Sequence, residues 1–240
     1  MNFMGIENPN NRDTIPADKQ EILDRIRQEV EQITDGLDEP VDEGIKDAVV
    51  YTKAFGLETE GSCEGHVERD GDSWNHLPYI IFEVPDRPKY IYDGQREIYE
   101  DIARENGIAV EDIRREEQYE HLLDLVYERL GAHPQESEEY KAWVLKQAAH
   151  FDKVKVILDE FNKNRQVNEN IRLIISGDKE GAFRITNNGG VHTDRFRDGF
   201  LYSDIDLKEQ KDKELAKMVP DFQVEMQAFT EFLKKKFLEQ

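Results

Sequence analysis

Six consecutive residues bring together the side chains best suited to chemistry, in the segment Gly61-Ser-Cys-Glu-Gly-His66. A hydroxyl, a thiol, a carboxylate and an imidazole lie within five residues, and the flanking glycines allow a tight turn with exposed backbone amides. Successive backbone amides can hold a small anion. The segment therefore predicts a binding site for a small polar or anionic ligand, with these candidate residues: Ser62, Cys63, Glu64, Gly65 and His66.

Three other interpretations of this turn are open. In a purely structural one, Cys63 is a small buried strand residue, and its polar neighbours satisfy local backbone groups. In a second, Cys63 and His66 bind zinc, for which their two-residue gap is suitable. The chain has one cysteine, so His76 or His192 would have to complete the shell, and no metal is favoured. In a third, a distant histidine activates Cys63 as a nucleophile. The turn does not identify a cofactor or establish an enzyme.

A second segment with chemical potential is His192-Thr-Asp-Arg-Phe-Arg197. Arg195 and Arg197 are suited to binding a phosphate or carboxylate through forked hydrogen bonds, although both could instead pair with the surplus acidic residues. Residues 171–240 hold 13 acids and 12 bases, whereas residues 1–170 hold 40 acids and 20 bases. We therefore expect the loop at 189–198, with His192, to be the partner of the turn in ligand binding.

The overall charge limits the classes of partner. Lys and Arg number 32 against 53 Asp and Glu, a formal charge of -21, which disfavours nucleic acid. A single cysteine excludes an intramolecular disulfide, and residues 1–11 lack the apolar core of a secretory signal. No run approaches the roughly 18 apolar residues of a membrane span. A cytoplasmic protein that does not enter a membrane is expected.

The elements that would position the turn begin with two predicted helices. A first helix follows from four apolar residues at helical spacing, and a second is expected from about Pro40 to Gly56. Residues 1–14 lack periodicity and predict a loose tail. The four apolar residues expected on the buried face of the first helix are Ile22, Ile26, Val30 and Ile33.

Strand patterns occur in two pairs. Gly177 and Gly181 lie between the members of the second pair and suit a short hairpin. Apolar, β-branched and aromatic residues predict strands at 57–61, 78–84, 171–175 and 182–186.

Helical periodicity covers residues 93–165, with breaks at 106–107 and 131–134. Its strongest part, near 137–164, carries an apolar stripe and should lie against the sheet. Residues 93–135 are predicted to form an acidic helical insertion. A last helix is expected from about Lys208, with an interruption near Pro220. Together these elements predict one α+β domain over residues 15–240, with a mostly antiparallel sheet of about four strands packed by long helices.

Two motif-level resemblances follow from these residues. Thr59 to His66, followed by Pro78-Tyr-Ile-Ile-Phe82, resembles a group of bacterial and phage proteins that pair a Ser-Cys-x-Gly-His turn with a Tyr-Ile-x-Phe strand. That resemblance implies no particular activity. The turn is also similar to the Ser-Cys-Ser-Gly-Arg segment of the tRNA wybutosine-synthesis protein 3 family of methyltransferases. Only Ser62, Cys63 and Gly65 match, so neither S-adenosylmethionine nor a tRNA substrate is carried over.

The sequence leaves one alternative to ligand binding from a different class. The region from residue 93 to 165 holds more helix than a four-stranded core needs, and exposed helical faces can bind other proteins. A non-catalytic interaction or scaffold protein that uses its helical faces is therefore the second hypothesis.

Overall fold

The computed structural model describes residues 15–34, 39–66, 77–115, 117–189 and 205–240. The chain divides into two compact units, each described by itself. The first unit comprises Met1–Glu83, Phe151–Asp178 and Ala182–Gln240, and the second comprises Val84–His150 and Lys179–Gly181.

A four-stranded antiparallel sheet forms the centre of the first unit. Its strands are β1 (Gly61–Cys63), β2 (Tyr79–Phe82), β3 (Leu173–Ser176) and β4 (Phe183–Asn187), in the spatial order β1-β2-β4-β3. The predicted α+β class and antiparallel sheet are confirmed. The first strand, however, lies in the cysteine segment itself rather than before it, because Gly61 to Cys63 pair with Ile81 to Tyr79.

Two helices precede the sheet, α1 (Ala17–Val30) and α2 (Glu43–Ala54). On α1 the buried side chains are Leu23, Ile26 and Val30, whereas Ile22 is 37% exposed and Ile33 36% exposed. The predicted face was wrong at both ends: Leu23 is buried instead of Ile22, since the two fit a helical repeat about equally well, and Ile33 lies beyond the end of α1. Pro40 was predicted to open the second helix, but it lies three residues before α2, in an isolated bridge with Thr34.

The second unit is helical. It holds α3 (Gln95–Asn106), α4 (Asp112–Arg115), a 3₁₀ turn (Glu117–Tyr119), α5 (Glu120–Leu130) and the beginning of α6 (Glu138–Asn162). The breaks expected at 106–107 and 131–134 therefore separate helices as predicted. A small core closes this unit, formed by Tyr99, Ile102, Ala103, Ile113, Leu122 and Val126.

Two long helices complete the first unit. Phe151 and the residues that follow it on α6 belong here, and Val154, Leu158 and Phe161 join the sheet residues in one core. The last helix, α7, runs from Ile205 to Glu239 with Pro220 inside it. The predicted interruption at Pro220 was wrong. A proline costs a helix interior roughly 3 kcal/mol, which burial of apolar side chains on both sides of it can offset, as at Val219, Phe222, Met226, Phe229, Leu233 and Phe237.

An ion pair anchors α7 in the first unit. Glu225 on α7 is 3% exposed, and its Oε2 accepts a hydrogen bond from Arg165 Nη2 at 2.6 Å. Because a buried charge needs a partner, this contact fixes the helix against the segment that precedes β3. In the described part of the chain, no helix is both long and apolar enough to cross a membrane.

Candidate metal centre

A cleft of about 440 Å³ lies beside β1 in the first unit. It is lined by β1 and the two residues before it, and also by Ile33, Thr34 and Glu39–Asp42. β1 is an edge strand of the sheet, so the cleft follows an edge of the sheet. This volume falls within the range of small-molecule sites.

Three side chains from two distant segments meet in this cleft: Asp42, Cys63 and His66. We call them the Asp-Cys-His group. A carboxylate oxygen, the thiol sulfur and an imidazole nitrogen all lie within 4.8 Å of one another. Nε2 of His66 lies 3.2 Å from Oδ2 of Asp42. Cys63 is 6% exposed, whereas the side chains of Asp42 and His66 are 30% and 40% exposed.

The spacing of these atoms is close to that of ligands around one metal ion. Zinc binds sulfur at about 2.3 Å and nitrogen or oxygen at about 2.0–2.2 Å. In a tetrahedron, bonds of these lengths separate the ligand atoms by about 3.3–3.8 Å. The Asp42 to His66 distance of 3.2 Å is just below this range, and the 4.8 Å limit exceeds the upper end of the range by about one ångström.

Backbone amides of the turn support two of the three side chains. Glu64 N–H donates to Oδ2 of Asp42 at 3.0 Å, and Gly65 N–H donates to Sγ of Cys63 at 3.4 Å. Hydrogen bonds of this kind orient metal ligands and tune their basicity. The turn therefore contributes outer contacts as well as the thiol and the imidazole.

Gly65 is required at its position for two reasons. Its φ is +89°, a conformation that side chains other than glycine rarely adopt. A Cβ atom there would also lie 2.7 Å from Cδ of Pro78. The carbonyl of Gly65 accepts a hydrogen bond from Nε2 of Gln223 at 2.9 Å, so α7 holds the turn from another side.

At the start of α2, the side chain that caps the helix is Glu64 rather than Asp42. It occupies the N-cap position, where an aspartate normally accepts a hydrogen bond from a first-turn amide. Among the described residues, its side chain makes no such bond. Instead Oε2 of Glu64 accepts from Gly44 N–H at 2.6 Å. Glu64 therefore caps the helix, and the carboxylate of Asp42 is available to Cys63 and His66.

The thiol of Cys63 is protonated at neutral pH. Burial raises its pKa to about 11, and the negative charge of Asp42 acts in the same direction. The Gly65 amide lowers the pKa but is outweighed. A thiolate is the reactive and metal-binding form, so the side chain is a poor nucleophile by itself, whereas a bound divalent cation would displace its proton.

The candidate residues predicted from the sequence do not all lie together in the structure. The thiol of Cys63 and the imidazole of His66 lie within 4.8 Å of each other, as zinc binding by both requires. Ser62 lines the cleft, but it is opposite Ile80, and strand alternation points its side chain away from the face of Cys63. Glu64 caps α2. The other candidates lie outside the described residues, namely His76, His192, Arg195 and Arg197.

Sequence reasoning missed Asp42. An aspartate shortly before a helix is ordinarily read as a cap, and 24 residues separate it from His66. The acceptor that replaces Asp42 at the helix terminus, Glu64, is 22 residues away in the sequence. That relation depends on the fold and is not visible in the spacing.

Comparisons with protein-family models, curated proteins and solved structures found no match for this chain. They neither support nor oppose the motif resemblances described above. A function therefore has to be inferred from the cleft and its side chains.

Proposed function

We propose that this protein binds a zinc ion through Asp42, Cys63 and His66, and that the fourth coordination position takes a donor atom of a small polar ligand. The observation that carries the proposal is the convergence of carboxylate, thiol and imidazole within 4.8 Å. Each of these groups is an ordinary zinc ligand. Calcium and magnesium are poor alternatives because they prefer shells made of oxygen.

The number of protein ligands supports a site with an open position. Structural zinc sites usually have four protein ligands, whereas sites that act on a substrate have three and a water or substrate molecule. All three members of the Asp-Cys-His group line the cleft, so a ligand there could reach the ion. An ion in such a position polarises carbonyl oxygens and lowers the pKa of bound water.

The capping of α2 by Glu64 instead of Asp42 supports the proposal independently. Natural sequences depart from local rules mainly at functional sites. Asp42 would stabilise α2 as an ordinary cap, and the protein uses a glutamate from another segment for that purpose. A carboxylate that does not cap the helix and lies within 4.8 Å of a thiol and an imidazole is suited to binding a cation.

The test is a titration of metal-free protein with cobalt(II), followed by competition with zinc. Cobalt reports tetrahedral thiolate coordination through its visible absorption. We expect one ion per chain, and at least about a 100-fold loss of affinity in Cys63→Ser, His66→Gln and Asp42→Asn, since loss of outer contacts alone costs about 10–100-fold.

Two matched variants control for general effects of charge and side-chain loss. Asp47→Asn removes a carboxylate from the same helix, where it pairs with Arg27, and His133→Gln removes an exposed histidine. Both should bind cobalt like the parent protein. Binding of much less than one ion per chain, or equal affinity in parent and Cys63→Ser, would rule out the proposed site.

A further inference from the structure

Gly65 separates the two proposed ligands of the turn. Cys63 precedes it by two positions, and His66 follows it directly. Rotation about φ or ψ of Gly65 therefore moves the imidazole relative to the thiol. Glycine restricts these two angles less than any other residue, so Gly65 by itself does little to keep the two ligands at a fixed separation. Contacts from outside the turn have to do so.

One such contact comes from α7. Nε2 of Gln223 donates to the carbonyl oxygen of Gly65 at 2.9 Å. This carbonyl belongs to the planar peptide bond between Gly65 and His66, so its direction fixes the backbone from which the imidazole extends. On the other side of the glycine, Gly65 N–H donates to Sγ of Cys63 at 3.4 Å. Gly65 is therefore held at both of its peptide bonds.

The part of α7 that carries Gln223 is anchored in the first unit. Phe222 is fully buried, and Glu225 pairs with Arg165 at 2.6 Å. These anchors lie on either side of Gln223 in the sequence. Gln223 itself is an exposed residue, so its replacement leaves the core of buried side chains unchanged. The donor nitrogen is therefore presented by a fixed backbone and can be altered separately from it.

We infer that Gln223 is a positioning residue for the metal centre. By holding the carbonyl of Gly65, it keeps the imidazole of His66 within binding distance of the other two ligands. The inference rests on the proposed zinc site. Contacts that support the ligands of a metal change its affinity by about 10–100-fold, because they hold the ligands in the binding geometry. In this way α7 influences metal affinity without supplying one of the three ligands.

Three replacements of Gln223 test the inference by titration of metal-free protein with cobalt(II). Gln223→Met removes the donor, Gln223→Glu places an acceptor opposite the carbonyl, and Gln223→Lys restores a donor. Glutamine, methionine, glutamate and lysine have similar helix propensities, so the intrinsic stability of α7 stays nearly constant across the series. We expect affinity to fall in the order parent, Gln223→Lys, Gln223→Met, Gln223→Glu, with about a tenfold loss in Gln223→Met.

Two further readouts separate positioning from general effects. A pure charge effect predicts the reverse order for two of the variants, because an added carboxylate attracts a cation and an added ammonium group repels it. The visible bands that report tetrahedral cobalt should weaken in Gln223→Met. Gln227→Met is the matched control: Gln227 is an exposed glutamine one turn later on α7, and its Nε2 donates to Glu231. Its affinity and spectrum should equal those of the parent protein.

The titrations are done well below the thermal midpoint of each metal-free variant, so that unfolding does not enter the measured affinity. Equal affinity and equal spectra in the parent and Gln223→Met would overturn the positioning role and leave the zinc site standing. Tighter binding in Gln223→Glu than in Gln223→Lys would also overturn it. Absence of cobalt binding in the parent protein would overturn the zinc site and this inference with it.

Discussion

The thiol of Cys63 shows how a single residue can be reactive in one state and inert in another. Without a metal ion its pKa is raised to about 11, first by burial and then by the Asp42 carboxylate. The neighbouring imidazole contacts Asp42 rather than completing a thiolate-imidazolium pair. These contacts favour a neutral thiol, which is the opposite of what a cysteine nucleophile requires.

Alkylation by iodoacetamide measures this state directly. In metal-free folded protein, Cys63 should react about 100-fold more slowly at neutral pH than in urea-unfolded protein, because the thiolate fraction falls tenfold for each unit of pKa increase. The rate should rise with pH until about pH 11. Mass spectrometry of quenched samples gives the rates, with Cys63→Ser as the blank. A folded-state rate equal to the unfolded rate would contradict the raised pKa.

The same pKa shift has a consequence for stability. Between about pH 9 and pH 11 the folded protein keeps the thiol proton, whereas the unfolded chain has largely lost it. The unfolded state therefore binds fewer protons in this interval, and the free energy of unfolding falls as the pH rises through it. Below this interval the contribution of Cys63 is constant.

At the scale of elements, the start of α2 and the end of β1 depend on each other. Glu64 follows β1 and caps α2 through Gly44, and its own amide holds Asp42. If Glu64 could not reach Gly44, Asp42 would be the nearest carboxylate able to cap the helix. The capping contact and the metal site therefore compete for Asp42.

Two variants test this competition by different routes. Glu64→Ala removes the substitute cap. Gly44→Ala places a Cβ too close to Oε2 of Glu64 and so displaces that carboxylate. We expect both to weaken cobalt binding about 10–100-fold. Circular dichroism should show no loss of total helix content in Gly44→Ala, since alanine favours helix more than glycine.

Glu43→Ala is the matched control for these variants. It removes an acidic side chain from the same helix terminus, one that pairs with Lys46 rather than with the turn. Its cobalt affinity should equal that of the parent protein. If Glu64→Ala also binds cobalt normally, Asp42 does not need Glu64 to remain in the site.

Local patterns in the sequence predicted most elements, because their physical causes are local. The β3-β4 hairpin follows from two apolar runs separated by glycines, and the helices follow from periodic apolar residues. The predictions were wrong where tertiary contacts determine the local structure. Periodicity could not choose between Ile22 and Leu23, and a buried stripe carries α7 through Pro220. Asp42 was missed since only the folded chain brings it to Cys63.

At the scale of the whole molecule, the formal charge is -21. Many acidic residues pair with a base three or four positions away, as Glu100 does with Arg96 and Glu138 with Lys141. Such exposed pairs contribute little individually. With 53 acids against 32 bases, a large excess of like charge stays unpaired and opposes the compact state.

Screening of this excess should stabilise the fold. We expect the thermal midpoint to rise by about 2–4 °C between low salt and high salt, which corresponds to roughly 1 kcal/mol for a chain of this size. Sodium chloride and potassium chloride should act equally if the effect is screening. Differential scanning calorimetry at constant pH gives the midpoints. A midpoint that falls with salt would mean that exposed ion pairs outweigh the repulsion.

A chain with one cysteine cannot close a loop by a disulfide, yet a metal ion shared by Asp42 and His66 would close one of 24 residues. Such a closure restricts the unfolded chain and ties the beginning of α2 to the edge of the sheet. Unlike a disulfide, it would be governed by the concentration of free metal rather than by redox conditions. The local stability of this edge would then follow the supply of zinc, and a chelator would reopen the loop.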